Sequence, residues 1–365
     1  MLIAIVGTRF SGKSTVENYF VSEKGFKCIQ ILQNDESFDR GISNHPIPTE
    51  TVAHSGLINS SIPGGESIIP SFSSRNIPLV KQTQEALQFR SAQELLKYVT
   101  INWRLNFVTT DLRTRQSIEL FIKRPFFMLL SLDGPLHQRF LRSKSLSISL
   151  FVQEDDTIVF GNTSVTDENL SSLRSLSDMV NVHIVNSFPE ISLLYTHIDK
   201  LDLLNPENLR PGWDAYFMTL ASLASHRSNC MKRRVGAVLV RENRVLATGY
   251  NGTPRGLANC NDGGCPHCNG DTSSFDIPYE CVCLHAEENA LLEAGRERIG
   301  KGAVLYCNTC PCLRCTVKII QTGVKAVVYN LGYKVDDASA SLFQQAGVEL
   351  RKFNPNQIFY LPGAY

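Results

Sequence analysis

The 365-residue chain lacks any long apolar segment, although 43% of its residues are hydrophobic. A membrane-spanning helix needs about 20 consecutive, mostly apolar residues, and the sequence contains no run of that kind. The apolar N-terminus, MLIAIVGTRFSGK, also lacks the basic leader and small-residue cleavage site of a secretory signal. These absences argue against a helical membrane span and predict a cytoplasmic location, with a nuclear location as the alternative.

A surplus of positive charge is also missing. The chain has 36 lysines and arginines against 35 aspartates and glutamates, a formal net charge of +1. The balance holds within each half, with 19 basic against 20 acidic residues in 1–200 and 17 against 15 in 201–365. Proteins that bind nucleic acid through its phosphates carry a basic surplus. The composition therefore argues against nucleic acid as a partner and favours a small-molecule ligand.

Cysteine is nearly absent from most of the chain and concentrated in one part of it. Of the 11 cysteines, ten lie between Cys230 and Cys315, and Cys28 is the remaining one. In a reducing compartment such a cluster indicates metal ligation rather than disulfide bonding. The distribution predicts metal binding in the C-terminal part of the chain.

The first half, residues 1–205, reads as a nucleotide-binding α/β domain. An apolar strand at residues 2–6 leads into GTRFSGKST and then into a helix that ends at Gly25. This segment matches the P-loop pattern G-x-x-x-x-G-K-[ST], in which backbone amides and the lysine bind phosphates and the hydroxyl binds Mg²⁺. Further strands and helices alternate, which predicts a parallel sheet, and a Ser/Pro/Gly-rich insertion lies at about 40–80. The predicted nucleotide-binding residues are Gly7, Gly12, Lys13, Ser14 and Thr15.

A second domain is predicted at residues 206–365, after a proline-containing break in LLNPENLRPGW. A helix from Trp213 to Ser228 precedes a hairpin whose strands, VGAVLV and RVLATGYNG, are joined by Glu242 and Asn243. Three further strands, AVLYCN, KAVVYN and VELRKF, alternate with helices. The predicted fold class is α/β throughout: a P-loop parallel-sheet domain followed by a five-stranded α/β/α domain.

The helix of CLHAEENALLEAG begins with a histidine and a glutamate two residues apart, His285 and Glu287. Downstream, Cys312 and Cys315 follow Pro311 in PCLRC. One histidine and a Cys-x-x-Cys pair can give Zn²⁺ three ligands and leave a fourth position for water. Glu287 could then move a proton from that water to a leaving group. H-x-E followed by P-C-x-x-C is the signature of the zinc deaminases. A purely structural zinc is the alternative, but it leaves Glu287 without a role.

Four segments, SNCMKRRVGAVLV, GYNGTPRG, CLHAEENALLEAGR and CPCLRC, resemble deoxycytidylate (dCMP) deaminases, particularly the fungal form, over about residues 212–352. The resemblance implies that a zinc-activated water attacks C4 of the cytosine ring and that ammonia leaves, giving dUMP for thymidylate synthesis. It also implies a substrate hydrogen bond from Asn251, a position near the deoxyribose for Tyr333, and an allosteric nucleotide contact for Arg296. A homo-hexamer activated by dCTP and inhibited by dTTP is implied as well.

Other interpretations of these segments stay open from the sequence. Asn251 and Gly252 also fit a tight turn that closes the strand, Tyr333 fits surface packing, and Arg296 fits a solvated charge. A deaminase of a free nucleoside or of tRNA would share the same zinc ligands and the same glutamate. A nucleotide-binding regulatory or kinase-like protein with a structural zinc module is a third hypothesis.

Six further cysteines lie near this region: Cys230, Cys260, Cys265, Cys268, Cys281 and Cys283. The loop between Asn251 and His285 has few apolar residues, so a second, structural zinc is predicted to hold it. Related enzymes with a second zinc imply Cys230, Cys260 and Cys283 as ligands; Cys268 is the favoured fourth ligand and Cys265 its alternative. Because one zinc takes four ligands, this interpretation leaves at least two of the six cysteines outside the site.

The first half resembles the nucleoside-monophosphate kinases and dephospho-coenzyme A kinase. Asp111 and Asp133 are candidate Mg²⁺ partners, although each fits a strand-end cap better. An arginine-rich phosphoryl-transfer lid is not evident. The sequence therefore favours a regulatory nucleotide site, or a scaffold for oligomerisation, over kinase activity.

Overall fold

The computed structural model describes residues 1–32, 86–144, 147–161, 171–270, 280–332 and 336–354. The predicted insertion at about 40–80 and Tyr333 lie outside these ranges. The chain divides into two compact units, Met1–Lys123 with Leu129–Leu176 and Arg124–Met128 with Ser177–Tyr365. Across the described ranges, none of the helices has both the length and the apolar character that a membrane crossing requires.

The N-terminal part contains a six-stranded sheet in the order β3-β2-β4-β1-β5-β6. The pairs β1–β4, β2–β3 and β2–β4 are parallel, as the alternating pattern predicts. The elements are β1 (Leu2–Gly7), α1 (Lys13–Ser22), β2 (Lys27–Ile31), β3 (Leu87–Phe89), α2 (Ala92–Ile101), β4 (Phe107–Thr109), α3 (Arg115–Ile122), β5 (Phe127–Asp133), α4 (Leu136–Ser143), α5 (Ile148–Phe160), α6 (Leu173–Leu176), β6 (Val182–Val185) and α7 (Ile191–Lys200).

The C-terminal part contains a five-stranded sheet in the order β11-β10-β9-β7-β8, which confirms the predicted strand number. Strand β7 is antiparallel to β8 and β9, whereas β10 is parallel to β9 and β11. The elements are α8 (Trp213–Ser225), β7 (Gly236–Arg241), β8 (Arg244–Tyr250), α9 (Pro266–Asn269), α10 (Ala286–Ala294), α11 (Arg296–Ile299), β9 (Val304–Thr309), α12 (Leu313–Thr322), β10 (Ala326–Leu331), α13 (Asp336–Gln345) and β11 (Glu349–Lys352).

The β7–β8 hairpin turns where the sequence predicts it. Glu242 and Asn243 have φ of 52° and 59°, the two left-handed conformations of a type I′ turn. Alternate side chains of β7 then point to opposite faces of the sheet. Ala237 and Leu239 pack in the cluster that contains α10, whereas Val238 and Val240 pack against Phe217 and its neighbours on α8. This arrangement is the predicted α/β/α layering.

Close packing of α10 on β8 sets the position of the His285 helix. A Cβ atom added at Gly249, in β8, would lie 2.0 Å from the Ala286 carbonyl oxygen and 2.5 Å from the Ala290 nitrogen. Only a residue without a side chain allows the helix backbone to approach the strand this closely. The helix is therefore held against the sheet with its first turn at the end of β8.

Candidate active site

The two helices that carry the predicted zinc ligands begin at the same place in the C-terminal unit. His285 is the N-cap residue of α10, and Cys312 is the N-cap residue of α12. The backbone N–H of His285 donates to Oε2 of Glu288 at 2.8 Å, which fixes the entry of the chain into α10. The ligands therefore stand on rigid helix ends rather than on free loops.

The predicted ligand atoms converge across these helix ends. Nδ1 of His285 lies 3.4 Å from the Sγ atoms of both Cys312 and Cys315. All three donor atoms lie within 4.8 Å of one another. One imidazole nitrogen and two thiol sulfurs are a donor set that zinc prefers, and three protein ligands are the number found in its catalytic sites. The residues present fit a zinc ion with an open fourth position.

Glu287 lies beside this donor set, on the first turn of α10. The side chain is buried, with 4% of the residue exposed, and it hydrogen-bonds the Cys315 thiol. Burial in a low-dielectric environment raises the pKa of the Glu287 carboxyl to about 6. A carboxyl with a pKa in this range can both accept and release a proton near neutral pH.

Hydrogen bonds among the three ligands shift their pKa values in opposite directions. Cys312 accepts hydrogen bonds from Cys315 and from His285, and these contacts lower the pKa of its thiol to about 3. The hydrogen bond between His285 and Cys312 raises the pKa of His285. The hydrogen bond between Cys315 and Cys312, together with burial, raises the pKa of Cys315. A bound cation would hold both sulfurs as thiolates.

Asn251 joins the end of β8 to the start of α10. Its Oδ1 accepts a hydrogen bond from the backbone N–H of Ala286 at 2.8 Å, and only 6% of the residue is exposed. The carbonyl oxygen of Asn251 also accepts hydrogen bonds from Asn229 and Ser228. The residue therefore has a structural role at the end of the strand while its side chain faces the ligand site.

A cavity of about 350 Å³ opens onto these residues. Its lining includes Asn251, His285, Glu287 and Cys312, together with Lys232 and Arg233. No motif in the sequence predicts a role for the last two. The basic run in CMKRRV, directly after Cys230, is the signal that could have drawn attention to them.

Arg296 lies away from this cavity. It is exposed at the start of α11 and lines a different cavity, with Leu284, Glu288, Val317 and Lys318 among the other lining residues. Lys318 forms an ion pair there with the buried Glu288. Tyr333, the other residue implied by resemblance, lies outside the described residues.

Six of the eight other cysteines of the C-terminal part meet in one cluster, called the six-thiol cluster below: Cys230, Cys260, Cys265, Cys268, Cys281 and Cys283. The four predicted zinc ligands, Cys230, Cys260, Cys268 and Cys283, have all their sulfur atoms within 4.8 Å of one another. Cys265 does not take the place of Cys268. It belongs to a second set of four that also contains Cys268, Cys281 and Cys283.

The P-loop segment has the predicted strand–loop–helix geometry. Gly12 precedes α1 with φ 102°, a left-handed conformation that favours glycine, and Lys13 is the first residue of the helix. Nζ of Lys13 donates to the carbonyl oxygens of Gly7 at 3.0 Å and Thr8 at 2.6 Å. Ser14 is exposed and Thr15 is half-buried within the first turn.

Both candidate magnesium aspartates of this unit accept hydrogen bonds from neighbouring residues. Asp133 accepts from the Thr8 hydroxyl and from the backbone N–H of Gly134, each at 2.7 Å. Asp111 accepts from the backbone N–H of Ile31 at 3.0 Å. These contacts are the ones that strand-end caps make.

Known proteins are similar to much of this chain. Residues 211–331 match the family described as the cytidine and deoxycytidylate deaminase zinc-binding region. The chain is 50% identical to a deoxycytidylate deaminase of Schizosaccharomyces pombe over 274 residues, covering 74% of this chain and 84% of that protein. It is 45% identical to a deoxycytidylate deaminase of Saccharomyces cerevisiae over 278 residues, covering 72% of this chain and 86% of that protein.

Among the solved structures similar to part of this chain is dCMP deaminase from the cyanophage S-TIM5 in complex with dCMP and dUMP. It is 37% identical, and the match covers 38% of this chain and 94% of that chain with a TM-score of 0.32.

Proposed function

The chain belongs to the deoxycytidylate deaminase family and is a hydrolytic deaminase, and we propose that it converts dCMP and water into dUMP and ammonia at the His285 site. The observation that carries this proposal is the convergence of His285, Cys312 and Cys315 beside the buried Glu287. A zinc ion held by these three residues would supply positive charge that lowers the pKa of the attacking water from about 15.7 to about 7.

Glu287 moves the proton in this reaction. Its carboxylate accepts a proton from the water whose oxygen bonds to C4 of the cytosine ring and delivers it to ring atom N3, which gains the electron pair of the C4–N3 double bond. It then accepts the remaining hydroxyl proton and delivers that proton to the amino nitrogen, as the bond from C4 to that nitrogen breaks and the C4 carbonyl forms. Burial of the side chain excludes bulk water from the proton path. The raised pKa of Glu287 suits the two opposite transfers, because neither protonation state is strongly favoured near neutral pH.

Asn251 orients the substrate beside the metal ligands. Because its Oδ1 accepts the N–H of Ala286, its amide group is held in one orientation beside the metal ligands. The Nδ2 group is then the donor that a bound nucleoside would meet. Tyr333 remains a prediction for the deoxyribose contact.

Lys232 and Arg233 favour a nucleoside monophosphate over a free nucleoside. Both line the cavity that contains His285 and Glu287. Two cationic side chains at a site of this size can bind one phosphate group, whereas a free nucleoside offers them no anion. The near-neutral charge of the whole chain argues against tRNA as the substrate.

The test is a comparison of substrates with a matched variant. The purified protein is incubated with dCMP, deoxycytidine or tRNA, and ammonia release and the deaminated product are measured. Wild-type protein is expected to turn over dCMP most efficiently. Arg233→Ala should lower kcat/KM for dCMP by about 10- to 100-fold without lowering that for deoxycytidine, because a charged hydrogen bond contributes about 1.5–3 kcal/mol.

Arg244→Ala, at the hairpin turn, is the control for removal of an exposed arginine. Higher efficiency on deoxycytidine or tRNA than on dCMP would contradict the substrate assignment and leave the deaminase chemistry in place.

Regulation by nucleotides belongs to this proposal as well. We assign dCTP as activator and dTTP as inhibitor, with Arg296 as a phosphate contact at a site separate from the substrate cavity. The assembly is proposed to be a homo-hexamer, and light scattering would measure its mass.

The response to nucleotides is measured as dCMP turnover in the presence of each triphosphate, for the wild type and for Arg296→Ala. Lys301→Ala is the charge-matched control, and an unchanged response in Arg296→Ala would contradict the role of Arg296.

The P-loop segment is proposed to bind a nucleotide with Mg²⁺ as a regulatory site. Gly7, Gly12, Lys13, Ser14 and Thr15 supply the strand–loop–helix setting that phosphate-binding loops require. Arg9 and Arg113 line the same cavity as Lys13, which adds positive charge there. A cytoplasmic location, with a nuclear one as the alternative, stays a prediction from the sequence.

A further inference from the structure

The six-thiol cluster contains more sulfur atoms than one metal ion can bind. Cys260 and Cys265 are fully buried, and Cys268 and Cys283 are nearly so, whereas Cys230 and Cys281 are half-buried at the edge. They come from the turn after α8, from the loop around α9 and from the segment before His285. A tetrahedral zinc takes four thiolates, so a single ion would leave two of these neighbouring thiols unused.

The sulfur atoms form two overlapping groups of four. One group is Cys230, Cys260, Cys268 and Cys283, and the other is Cys265, Cys268, Cys281 and Cys283. Within each group all sulfur atoms lie within 4.8 Å of one another. Both groups contain Cys268 and Cys283, whose sulfur atoms are 3.9 Å apart. The cluster therefore consists of two tetrads that share one edge.

The spacing within the tetrads is that of thiolates around zinc. Zn–S bonds of about 2.3 Å in a tetrahedron place neighbouring sulfur atoms about 3.8 Å apart. In the first tetrad, the distance between the sulfur atoms of Cys230 and Cys268 is 3.9 Å. In the second, Cys281 lies 3.8 Å from Cys265 and 3.5 Å from Cys268.

The two shared cysteines lie between the outer pairs. The Cys268 sulfur contacts Cys230 of one outer pair and both Cys265 and Cys281 of the other. The Cys283 sulfur hydrogen-bonds Cys230 and Cys260 and lies close enough to Cys281 for their charges to interact. Sulfurs in this central position can each reach two ions, whereas the outer sulfurs can each reach one.

We propose that the six-thiol cluster binds two zinc ions, with Cys268 and Cys283 as bridging thiolates. Cys230 and Cys260 complete the tetrahedron of the first ion, and Cys265 and Cys281 complete that of the second. All six cysteines are then ligands, which replaces the single ion with four ligands that the sequence predicts. The proposal concerns a structural site and does not depend on which substrate the enzyme deaminates.

Nearby donors offset the negative charge of such a centre. Six thiolates carry two more negative charges than two zinc ions neutralise. The backbone N–H of Met231 donates to the Cys260 sulfur at 3.4 Å, and Nδ2 of Asn269 lies 3.8 Å from it. Backbone amides of Lys232 and Arg233 hydrogen-bond Cys230, and those of Cys268 and Val282 hydrogen-bond Cys265. Hydrogen bonds from N–H groups to metal-bound ligands are a general means of stabilising them.

The centre would hold the entrance to the active-site helix. Cys283 lies two residues before His285, and Leu284 between them pairs with Gly252 as an isolated bridge next to Asn251. Cys230 connects the same centre to the turn that carries Lys232 and Arg233. Two ions would therefore anchor both the segment before His285 and the turn that carries Lys232 and Arg233. Metal ligation would replace the apolar packing that the loop between Asn251 and His285 lacks.

Metal content of the full-length chain tests the proposal. Protein without an affinity tag is loaded with zinc and desalted, and zinc is measured by mass spectrometry alongside X-ray absorption at the zinc edge. The expected result is about three zinc ions per chain, counting the one at His285, with a zinc–zinc scattering path in the absorption spectrum. Two ions per chain, or three without a zinc–zinc path, would overturn the proposal.

Replacement by ¹¹³Cd and three variants locate each ion. The proposal predicts two tetrathiolate cadmium resonances that couple to each other through the bridging sulfurs. Cys281→Ser should reduce the zinc content to about two ions, Cys268→Ser should reduce it to about one, and Cys28→Ser, outside the cluster, should leave it at three. If Cys281→Ser changes nothing, Cys281 is not a ligand and the second ion is refuted. Measurements on the wild-type chain decide the question if a variant fails to fold.

Discussion

The two halves of the chain both place a predicted site at the start of a helix, but the local contacts differ. At α10 and α12, side chains from separate segments meet: His285 Nδ1 lies 3.4 Å from two cysteine sulfurs, with Glu287 buried beside them. At α1, the main functional side chain folds back on its own loop, because Lys13 donates to the carbonyl oxygens of Gly7 and Thr8. A ligand at the P-loop has to replace these bonds, whereas the donor set at His285 is already assembled.

The fungal relatives match more of the chain than its C-terminal domain. The alignment with the Schizosaccharomyces pombe deaminase spans 274 residues, which exceeds the 160 residues of the predicted C-terminal domain, 206–365. Similarity therefore continues into the first half. The proposal is that the C-terminal site performs the reaction and the N-terminal one binds a nucleotide, and the following predictions test that division.

The largest expected effect is on Glu287. Glu287→Gln should lower kcat for dCMP by about 10²- to 10⁴-fold, because the proton shuttle is lost while the metal ligands remain. Turnover and zinc content are measured on the same preparation. Glu293→Gln, an exposed glutamate on the same helix, should keep normal activity. Normal turnover in Glu287→Gln would assign the proton transfer to another group.

A large effect of a different kind is expected in the N-terminal part. Asp155 makes two hydrogen bonds with the guanidinium of Arg139, which is 4% exposed. Asp155→Ala removes both bonds and leaves the buried guanidinium with the exposed Asp133 carboxylate, 3.5 Å away, so it should lower the free energy of unfolding by about 3 kcal/mol. Denaturant unfolding would measure the loss, with the exposed Asp156→Ala as control. A loss below 1 kcal/mol would show that the pair contributes little to this half.

A smaller effect is expected at Asn251, where structure and binding coincide. Asn251→Ala removes the acceptor for the Ala286 N–H and the proposed substrate donor. Loss of the substrate contact should lower kcat/KM by about 10- to 100-fold. Loss of the hydrogen bond to Ala286 should lower the free energy of unfolding by about 1 kcal/mol. Steady-state kinetics and thermal unfolding measure the two parts. An unchanged KM and kcat with reduced stability would restrict Asn251 to its structural role.

The smallest expected effect is the pH dependence of nucleotide binding at the P-loop. Burial, reinforced by Arg113, Arg139 and Arg9, lowers the pKa of Lys13 to about 8. Between that value and the ordinary pKa of lysine, the unfolded chain binds the proton and the folded chain does not. Folding stability therefore rises with pH in this window, whereas affinity for a phosphate anion falls as Lys13 loses its charge.

Calorimetric titration with a magnesium nucleotide at pH 7 and pH 9 measures that affinity. Wild type should bind about tenfold more weakly at pH 9, because most of Lys13 is then neutral. Lys13→Met should bind weakly at both pH values with little difference between them, and Lys24→Ala should behave as wild type. Equal affinity of wild type at the two pH values would exclude Lys13 from phosphate binding.

Local signals were sufficient for much of the fold. One such signal is Ser91 directly before the helix AQELLKYVTI, since serine favours the N-cap position; its hydroxyl accepts the Glu94 N–H at 3.2 Å. The five strands of the second sheet and the turn at Glu242 and Asn243 are predicted as well. Helix α5 was not predicted from the sequence: it buries only Phe151 and Asp155 among its 13 residues, so no regular apolar face marks it.

Residues that are close in sequence determined the chemistry of the candidate site by themselves. His285 with Glu287, and Cys312 with Cys315, lie within single helical turns, where fixed backbone geometry sets which side chains are neighbours. Tertiary structure decided everything that depends on bringing distant segments together. It placed His285 against Cys312, lined the cavity with Lys232 and Arg233, and joined cysteines from 230 to 283 into two tetrads that share an edge. Spacing along the chain does not predict the distances between side chains of separate segments, because those distances are set only when the helices pack on the sheet.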